Sequence, residues 1–243
     1  MDHVHQALVS KLKEHSRLTS DDVAMIRSFS YSIRNLVHDE DIIRQGDDPN
    51  LAVLVVVGTV ARYHLLAGGK RQFLSFHLKG DLPDAQGLFL EKMDHAVCSV
   101  GNATIASIPH KQLIKAFEQR PNVGFAIWRE TLIDGAIFRE AITNSSARPP
   151  TARMAHFFCE LIYRAKATGI SDGQTLDFPA LLPQLADTLG MALATVNRAL
   201  ADLREAKALD FRLAKLSILD WEHLTEIGQF NPSYLHLRKL PTI

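Results

Sequence analysis

Cysteine is scarce in this sequence, and its scarcity excludes several kinds of site. The chain of 243 residues has two cysteines, Cys98 and Cys159, which lie far apart. They form no CxxC pair and no cluster of the kind that holds an iron–sulfur centre or a structural zinc ion. So few cysteines are typical of a reducing compartment, where structural disulfides are rare.

Net charge and long apolar runs are missing as well. The 27 basic and 27 acidic residues cancel, whereas nucleic-acid binders usually carry a basic footprint. Neutrality therefore counts mildly against a nucleic-acid partner, although a small basic face can lie within a neutral total. The apolar run at residues 51–57 is far too short to span a bilayer, and the N-terminal residues do not resemble a signal peptide. We expect a cytoplasmic protein without membrane contact.

Common catalytic motifs are also lacking. The sequence has no Gly-x-Ser-x-Gly and no glycine-rich phosphate loop. Cupin enzymes are β-rolls that hold a metal ion, and they need closely spaced histidines for it. In this sequence His64 has no His-x-His partner. A cupin-like enzyme is thus the remote alternative, and we expect no enzyme activity and no metal site.

Short apolar runs between turn signals dominate residues 31–108. The turns include glycines at 46, 58, 68, 69 and 80, and the Gly68-Gly69 pair is a strong hairpin signal. Many short strands at this spacing predict an antiparallel sandwich, barrel or roll rather than a βαβ sheet. Amphipathic helices are predicted before it, within residues 6–29, and after it, over 111–118.

A long helix is predicted over residues 122–143. Trp128, Gly135 and Ile142 repeat at heptad spacing with Leu132 and Phe138 between them, which suits pairing with a second copy of the chain. The alternative is a helix buried within one chain. A second apolar face, formed by Ile127, Ile133 and Ile137, is expected to pack on the chain's own β domain.

A polar stretch with paired prolines, residues 144–150, predicts a hinge between two domains. A helix is expected over 151–167, and residues 182–206 predict two short helices around a turn at Gly190. Leu185 and Leu189 share one face of the first helix, and Val196, Leu200 and Leu203 share one face of the second. This is the pattern of a helix-turn-helix, although an ordinary helical hairpin would show it too.

The end of the chain adds a wing and a tail. Residues 211–219 alternate like a small β-hairpin, and a short helix follows at 221–227. We expect Phe230, Tyr234, Leu235 and Leu237 of the remaining tail to pack on the protein body. The first helix of the motif begins without a Ser, Thr or Asp cap before Pro183, so its start is expected to be frayed or unusually packed.

The order of these parts resembles the CRP/FNR family of bacterial transcription regulators over roughly residues 25–222. The segments that carry the resemblance are the glycine-punctuated turns at 40–47, 57–60, 68–72 and 79–81, and the helix-turn-helix at 185–190 and 195–200. The resemblance implies an α+β fold: an antiparallel β-roll (a double-stranded β-helix, jelly-roll-like), a long dimerisation helix and a C-terminal winged helix-turn-helix. The expected domains are residues 1–120 (roll with N-terminal helices), 121–147 (dimerisation helix and hinge), 148–222 (winged helix-turn-helix) and 223–243 (tail).

The resemblance also implies a homodimer that binds a roughly palindromic site on double-stranded DNA and contacts RNA polymerase. The family's best-known members read bases with an arginine and a glutamate where Leu193 and Ala194 stand here, so that readout is absent. The predicted base contacts are Leu193, Thr195, Asn197 and Arg198. The predicted phosphate contacts are Arg204, Lys207, Arg212 and Lys215.

The effector of the roll is left open. Cyclic-nucleotide-binding relatives use a Gly-Glu pair and an arginine, where this chain has Asp84, Ala85 and His95. An aspartate repels phosphate and imidazole is a poor substitute for guanidinium, so an ordinary cyclic nucleotide is not expected. An iron–sulfur cluster is not expected without N-terminal cysteines, nor is haem, although His64, His77, His95 and His110 are available as ligands. If the roll has an effector pocket, Asp84, Gln86 and His95 are its candidate residues.

A sensory or scaffolding module of the same fold is the main alternative function. It would have weak or lost DNA binding, which the zero net charge and the apolar Leu193-Ala194 pair favour. The sequence names neither the target genes nor the direction of regulation.

Overall fold

A computed structural model describes residues 3–243, and the chain divides into two compact units, one ending at Asp134 and the other beginning at Gly135. The first unit opens with two helices, α1 (His3–His15) and α2 (Ser20–Arg27). Thr19 caps α2, because its hydroxyl accepts from the Asp22 N–H at 3.2 Å and its own N–H donates to the Asp22 carboxylate at 2.9 Å. This reciprocal cap fixes the break between the two predicted helical pieces.

Five antiparallel strands follow: β1 (Ser32–Leu36), β2 (Asp41–Ile43), β3 (Leu51–Leu65), β4 (Arg71–His77) and β5 (Ala96–Pro109). The sheet order is β1-β5-β3-β4, with β2 also pairing with β5. The hairpin between β3 and β4 turns at Gly68 and Gly69, both at positive φ, as their sequence predicts. The antiparallel roll is confirmed.

Helix α1 lies on the roll through a continuous apolar core. Leu8 and Leu12 of α1 are buried together with Leu54 of β3, Ile108 of β5 and Ile127 of the long helix described next. Ile127 and Ile133 are buried as predicted, whereas Ile137 is only half-buried.

Buried charges also hold α1 in place. The Lys11 ammonium lies 3.0 Å from the Asp81 carboxylate, 3.3 Å from Glu14 and 3.5 Å from Glu130. His15 Nε2 lies 3.0 Å from Glu130. Burial raises the pKa of Glu14 to about 7, against the lowering effect of Lys11. Ion pairs between side chains therefore hold α1 to the turn after β4 and to Glu130 of the long helix.

Two helices leave the roll, α3 (His110–Gln119) and α4 (Pro121–Ala147). The predicted end of α4 at Thr143 is wrong by four residues. The helix continues through its polar end, where the hydroxyls of Ser145 and Ser146 do not leave the helix but donate to the Ile142 carbonyl at 2.9 and 2.8 Å. The break is confined to the residues beside Pro149, whose ring disfavours a helical conformation in the residue before it.

The second unit contains α5 (Pro150–Ala167), β6 (Thr175–Asp177), α6 (Leu182–Leu189), α7 (Leu193–Glu205), β7 (Leu209–Arg212), β8 (Lys215–Ile218), α8 (Trp221–Gly228) and a 3₁₀ helix at Pro232–Leu235. The predicted wing hairpin is present as β7 and β8. Strand β6 pairs with β8 to give the order β6-β8-β7, and this third strand was not predicted. It has only three residues, so it shows too little alternation to stand out from the loop before it.

The tail packs on this unit as predicted. Leu235 is buried, and the Tyr234 hydroxyl donates to Glu160 of α5 at 2.8 Å. Phe230 lies edge-on to Trp221 and to Tyr163. Together the two units confirm the predicted α+β fold with an N-terminal β-roll and a C-terminal winged helix-turn-helix; the four predicted domain bounds stay a prediction.

Candidate nucleic-acid interface

Helices α6 and α7 form the helix-turn-helix. Gly190 ends α6 at φ 60°, a left-handed conformation that glycine adopts without strain. The next N–H, that of Met191, donates to the Ala186 carbonyl at 2.9 Å and closes the turn. Leu185, Leu189, Val196, Leu200 and Leu203 are buried, as their spacing predicts. One face of α7 is thus fixed in the core and the other faces solvent.

The start of α6 is capped in a way that the sequence did not show. Gln184, at the third position of the helix, reaches back so that its Oε1 accepts from the Leu181 N–H at 2.8 Å. Gln184 is buried, and Pro183 has no N–H that would need a partner. Of the two expectations for this start, frayed or unusually packed, the buried glutamine cap agrees with the second.

Arg153 supports the turn from outside the motif. It extends from α5, and one of its guanidinium nitrogens donates to the carbonyls of Leu189 and Gly190 at 2.9 and 3.3 Å. The other terminal nitrogen donates to the Arg148 carbonyl at 3.2 Å. The first two carbonyls lie at the C-terminal end of α6, where a positive charge is stabilising. Sequence reasoning missed this residue because the contact joins positions 36 residues apart.

The predicted base contacts lie on the first two turns of α7. Leu193, Asn197 and Arg198 are exposed, and Thr195 is half-buried. The Asn197 amide donates to the Leu193 carbonyl at 3.0 Å, so in this conformation its donor is used within the helix. Arg198 and Asn197 nevertheless stand on the solvent side, with an arginine fork and an amide that match the edges of guanine and adenine.

The predicted phosphate contacts divide into two pairs. Arg204 and Arg212 share one carboxylate, since their Nε atoms lie 2.8 and 3.2 Å from Asp210. Lys207 and Lys215 are exposed, the first just past α7 and the second at the start of β8. Asp210 thus reduces the charge that the wing offers to a phosphate backbone.

The wing ends in an exposed two-residue turn. Arg212 and Lys215 pair across the hairpin, and Leu213 and Ala214 lie between them at φ 51° and 60°. The Ala214 carbonyl accepts from the N–H of buried Phe178 at 2.7 Å, which ties the turn to the core. Leu213 is 100% exposed.

In the roll, the three candidate effector residues lie around Pro83. The Asp84 carboxylate accepts from the Val53 N–H at 2.9 Å, and burial raises its pKa to about 7 against the lowering effect of that hydrogen bond. His95 lies 3.3 Å from the Pro83 carbonyl and 3.4 Å from the Gln86 amide, and burial lowers its pKa. Asp84 also lines a cavity of about 160 Å³ with Arg34 and Ser107, whereas Gln86 and His95 do not.

Arg62 is the residue of this region that sequence reasoning missed. Its side chain, 3% exposed, extends from β3, where its Nε donates to the Pro83 carbonyl at 2.6 Å. Its terminal nitrogen donates to Asp134 of α4 at 2.6 Å. An arginine in a run of apolar strand residues gives no signal of its partner, which lies 72 positions away.

The described part of the chain has neither a group of metal ligands nor a membrane-spanning helix. Across residues 3–243, no three His, Cys, Asp or Glu side chains are grouped to hold a metal ion. Within the same range, every helix is too short or too polar to cross a membrane.

Comparison with known proteins gives two domain families in the order that the structure shows. The cyclic nucleotide-binding domain family matches residues 33–120, and the Crp-like helix-turn-helix domain family matches residues 152–227. The two matched segments together span more than half of the chain. The first contains the roll and the second contains α6, α7 and the wing.

Relatives and solved structures agree with both matches. The nitrogen fixation regulation protein FixK of Bradyrhizobium diazoefficiens is 26% identical over 207 residues, which cover 83% of this chain and 85% of that protein. The anaerobic regulatory protein of Haemophilus influenzae is 21% identical over 237 residues, covering 98% of this chain and 92% of that one. The structure of FixK2 from Bradyrhizobium japonicum has the same fold, with a TM-score of 0.73 at 23% identity over 82% of this chain and 97% of that one. The two domain matches and these relatives together show that the protein belongs to the CRP/FNR family, a family of DNA-binding transcription regulators rather than of enzymes.

Proposed function

We propose that this regulator binds DNA as a homodimer, with α7 of each copy in the major groove of one half of a roughly palindromic site. The observation that carries the proposal is the division of α7 into a buried face and a face that presents Leu193, Asn197 and Arg198 to solvent. A helix held in this way by a second helix and a turn is the arrangement that reads base edges. Its place of action is the bacterial cytoplasm, where the DNA lies.

An apolar stripe on α4 supports the homodimer. Phe125, Trp128 and Leu132 are 63%, 50% and 56% exposed, and Ile142 on the same heptad pattern is 66% exposed. Gly135 and Phe138 of the predicted seam are half-buried. Exposed apolar residues at alternating three- and four-residue spacing are typical of a helix that pairs with a copy of itself. Phe125 belongs to this stripe, although it was not among the predicted seam residues.

The dimer is tested by changing the charge of this stripe. Leu132→Asp places a carboxylate in the seam and is expected to give monomers in analytical ultracentrifugation. Leu65→Asp is the matched control, because Leu65 is also a 56% exposed leucine but lies at the end of β3. Equal dissociation of both variants, or of neither, would contradict a dimer built on α4.

We further propose that the roll needs no ordinary cyclic nucleotide. In the segment that corresponds to the nucleotide phosphate site of its relatives, the polar side chains are already bonded to other groups of this protein. The Asp84 carboxylate is bonded to the Val53 N–H, and the Arg62 guanidinium is bonded to Pro83 and Asp134. Titration calorimetry with cyclic AMP and cyclic GMP is expected to show no binding. Micromolar binding of either would overturn this part of the proposal.

The DNA proposal is tested by selecting bound sequences from a pool of random duplexes without added effector. A two-fold-symmetric consensus and binding that weakens steeply with salt are expected. The alternative module with lost DNA binding is favoured by Asp210, whose single negative charge offsets part of the charge of Arg204 and Arg212, two of the four predicted phosphate-contacting cations. No binding to any duplex at low salt would establish that alternative. The contact with RNA polymerase stays a prediction of the family resemblance.

A further inference from the structure

The tip of the wing combines three properties that the helix-turn-helix does not explain. It is fully exposed, it is apolar, and its backbone conformation disfavours the residues found there. A two-residue hairpin turn with positive φ at both positions normally carries Asn-Gly or Asp-Gly. This wing has Leu213 and Ala214 instead, at φ 51° and 60°.

The turn is not free to relax into another conformation. Strand β8 is held on both sides, by β7 and by β6, and the Ala214 carbonyl accepts from the Phe178 N–H at 2.7 Å. Phe178 is itself fully buried. The core therefore holds a leucine in a left-handed conformation, with its side chain wholly in water, although folding gains nothing from that side chain.

The charges beside the tip indicate what it contacts. Arg212 precedes the turn and Lys215 follows it, and both are exposed. Asp210 lies 3.2 Å from Arg212 and offsets part of its charge, but the Arg212 side chain is 60% exposed and can turn toward a phosphate. Two cations on either side of a projecting apolar group suit the minor groove of duplex DNA, where phosphates line both walls and base steps lie at the floor. Proteins that enter this groove often insert a leucine or a similar side chain between base pairs.

We propose that Leu213 is a wedge that enters the minor groove beside each half-site and adds sequence preference through the deformability of the DNA. The proposal rests on the DNA binding proposed above and adds a contact that α7 does not make. Flexible pyrimidine–purine steps unstack most easily, so they are the steps that such a wedge selects. The wing thereby contributes specificity without a hydrogen bond to a base.

The backbone strain at Leu213 allows a test of the wedge in which loss of the side chain is not accompanied by loss of stability. Leu213→Gly and Leu213→Asn remove the wedge and also relieve the left-handed strain, so both variants are expected to fold as well as the natural protein or better. Ala214→Gly is the matched control, because it relieves the same kind of strain and keeps the leucine. A loss of DNA affinity shared by the two Leu213 variants but not by Ala214→Gly thus cannot come from misfolding.

The measurement is selection from random duplexes, followed by affinity on the selected site. For both Leu213 variants we expect binding to weaken about tenfold for each half-site, and so about a hundredfold for the dimer, the order expected from losing the burial of two leucine side chains. We also expect them to lose the preference for pyrimidine–purine steps at the flanking position and to keep the preference that α7 provides. In a duplex with 2-aminopurine at that step, the natural protein and Ala214→Gly should raise the fluorescence by unstacking, and the Leu213 variants should not.

Two outcomes would overturn the wedge. One is an unchanged flanking preference in the Leu213 variants, and the other is unchanged 2-aminopurine fluorescence with the natural protein. Either result leaves the function of α7 intact if the half-site consensus is still selected. Absence of any selected consensus with the natural protein would instead refute the DNA proposal itself, so the two failures are distinguishable.

Discussion

The ion pair between Arg62 and Asp134 gives the sharpest test of how the roll is held to α4. The two side chains lie 2.6 Å apart, with Arg62 3% and Asp134 27% exposed. Two unit charges about 4 Å apart attract by about 4 kcal/mol at an effective dielectric constant of about 20. Asp134→Asn keeps the shape and a hydrogen bond worth about 1 kcal/mol, so we expect it to lower the free energy of unfolding by about 3 kcal/mol.

Removing the arginine instead of the aspartate should lower the free energy of unfolding much less. Arg62→Met leaves Asp134 without its partner, but that carboxylate is partly exposed and water can solvate it. The Pro83 carbonyl keeps the His95 ring at 3.3 Å. A double variant, Arg62→Met with Asp134→Leu, buries no charge and should unfold within about 1 kcal/mol of the natural protein. The expected order is therefore a large loss for Asp134→Asn and small losses for the other two.

Urea unfolding measures these differences, and the sequence offers a reporter for the first unit. The chain has two tryptophans, Trp128 and Trp221, one in each unit. A Trp221→Phe background leaves Trp128 to report on the first unit. All variants are compared at one fixed protein concentration, because the proposed dimer would unfold in a concentration-dependent way. Asp21→Asn is the control, since the Asp21–Arg120 pair is exposed and should contribute less than about 1 kcal/mol. Equal losses for Asp134→Asn and Asp21→Asn would refute the reasoning.

Three further predictions concern the DNA-binding unit. Arg198→Ala should lose about 1–3 kcal/mol of discrimination between the selected site and random duplex if Arg198 reads a base, whereas an equal loss on both would make it a phosphate contact. Asp210→Asn frees Arg204 and Arg212, so binding to any duplex should tighten. The slope of log affinity against log salt concentration should steepen by about 1 for each phosphate that the freed arginines neutralise. An unchanged slope would show that neither arginine reaches DNA. Burial lowers the pKa of His156 to about 4, below its unfolded value near 6.5. The neutral imidazole therefore contributes its full stabilisation above about pH 6.5. This contribution is lost as the pH falls toward 4, by about 3 kcal/mol in all. His156→Gln should flatten that part of the pH–stability curve, and a curve that keeps its slope would mean that another group titrates there.

The fold could be predicted almost entirely from local patterns. Glycine turns marked the strands of the roll, heptad spacing marked α4, and Gly190 marked the turn between α6 and α7. The errors concern two helix ends, where side-chain hydrogen bonds differ from those that the sequence pattern predicts. Helix α4 continues through Ser145 and Ser146, whose hydroxyls donate to the Ile142 carbonyl, and Gln184 caps α6 in place of a serine or aspartate. Propensity alone does not show such contacts, because each depends on a side-chain conformation that the helix selects.

The candidate site was predicted only as far as its residues act locally. The exposed positions of α7 follow from helix periodicity, so Leu193, Asn197 and Arg198 could be found from spacing. Arg62 and Arg153 could not, because their partners lie 72 and 36 residues away along the chain. The strain at Leu213 also escaped prediction, since it depends on the hairpin having a loop of only two residues.

The zero net charge and the DNA-binding fold are compatible once the positions of the cations are known. Lys11 and Arg62 are buried against carboxylates in the first unit, so they offer nothing to a phosphate backbone. In the second unit, Asp210 pairs with Arg204 and Arg212. In the DNA binding proposed above, we therefore expect electrostatic attraction to supply a smaller share of affinity than in a strongly basic regulator, and contacts that do not depend on salt to supply more. We expect Leu193 on α7 and Leu213 on the wing to supply such contacts, because both are exposed apolar side chains on the proposed DNA-facing elements. An affinity that hardly depends on either leucine would contradict this expectation.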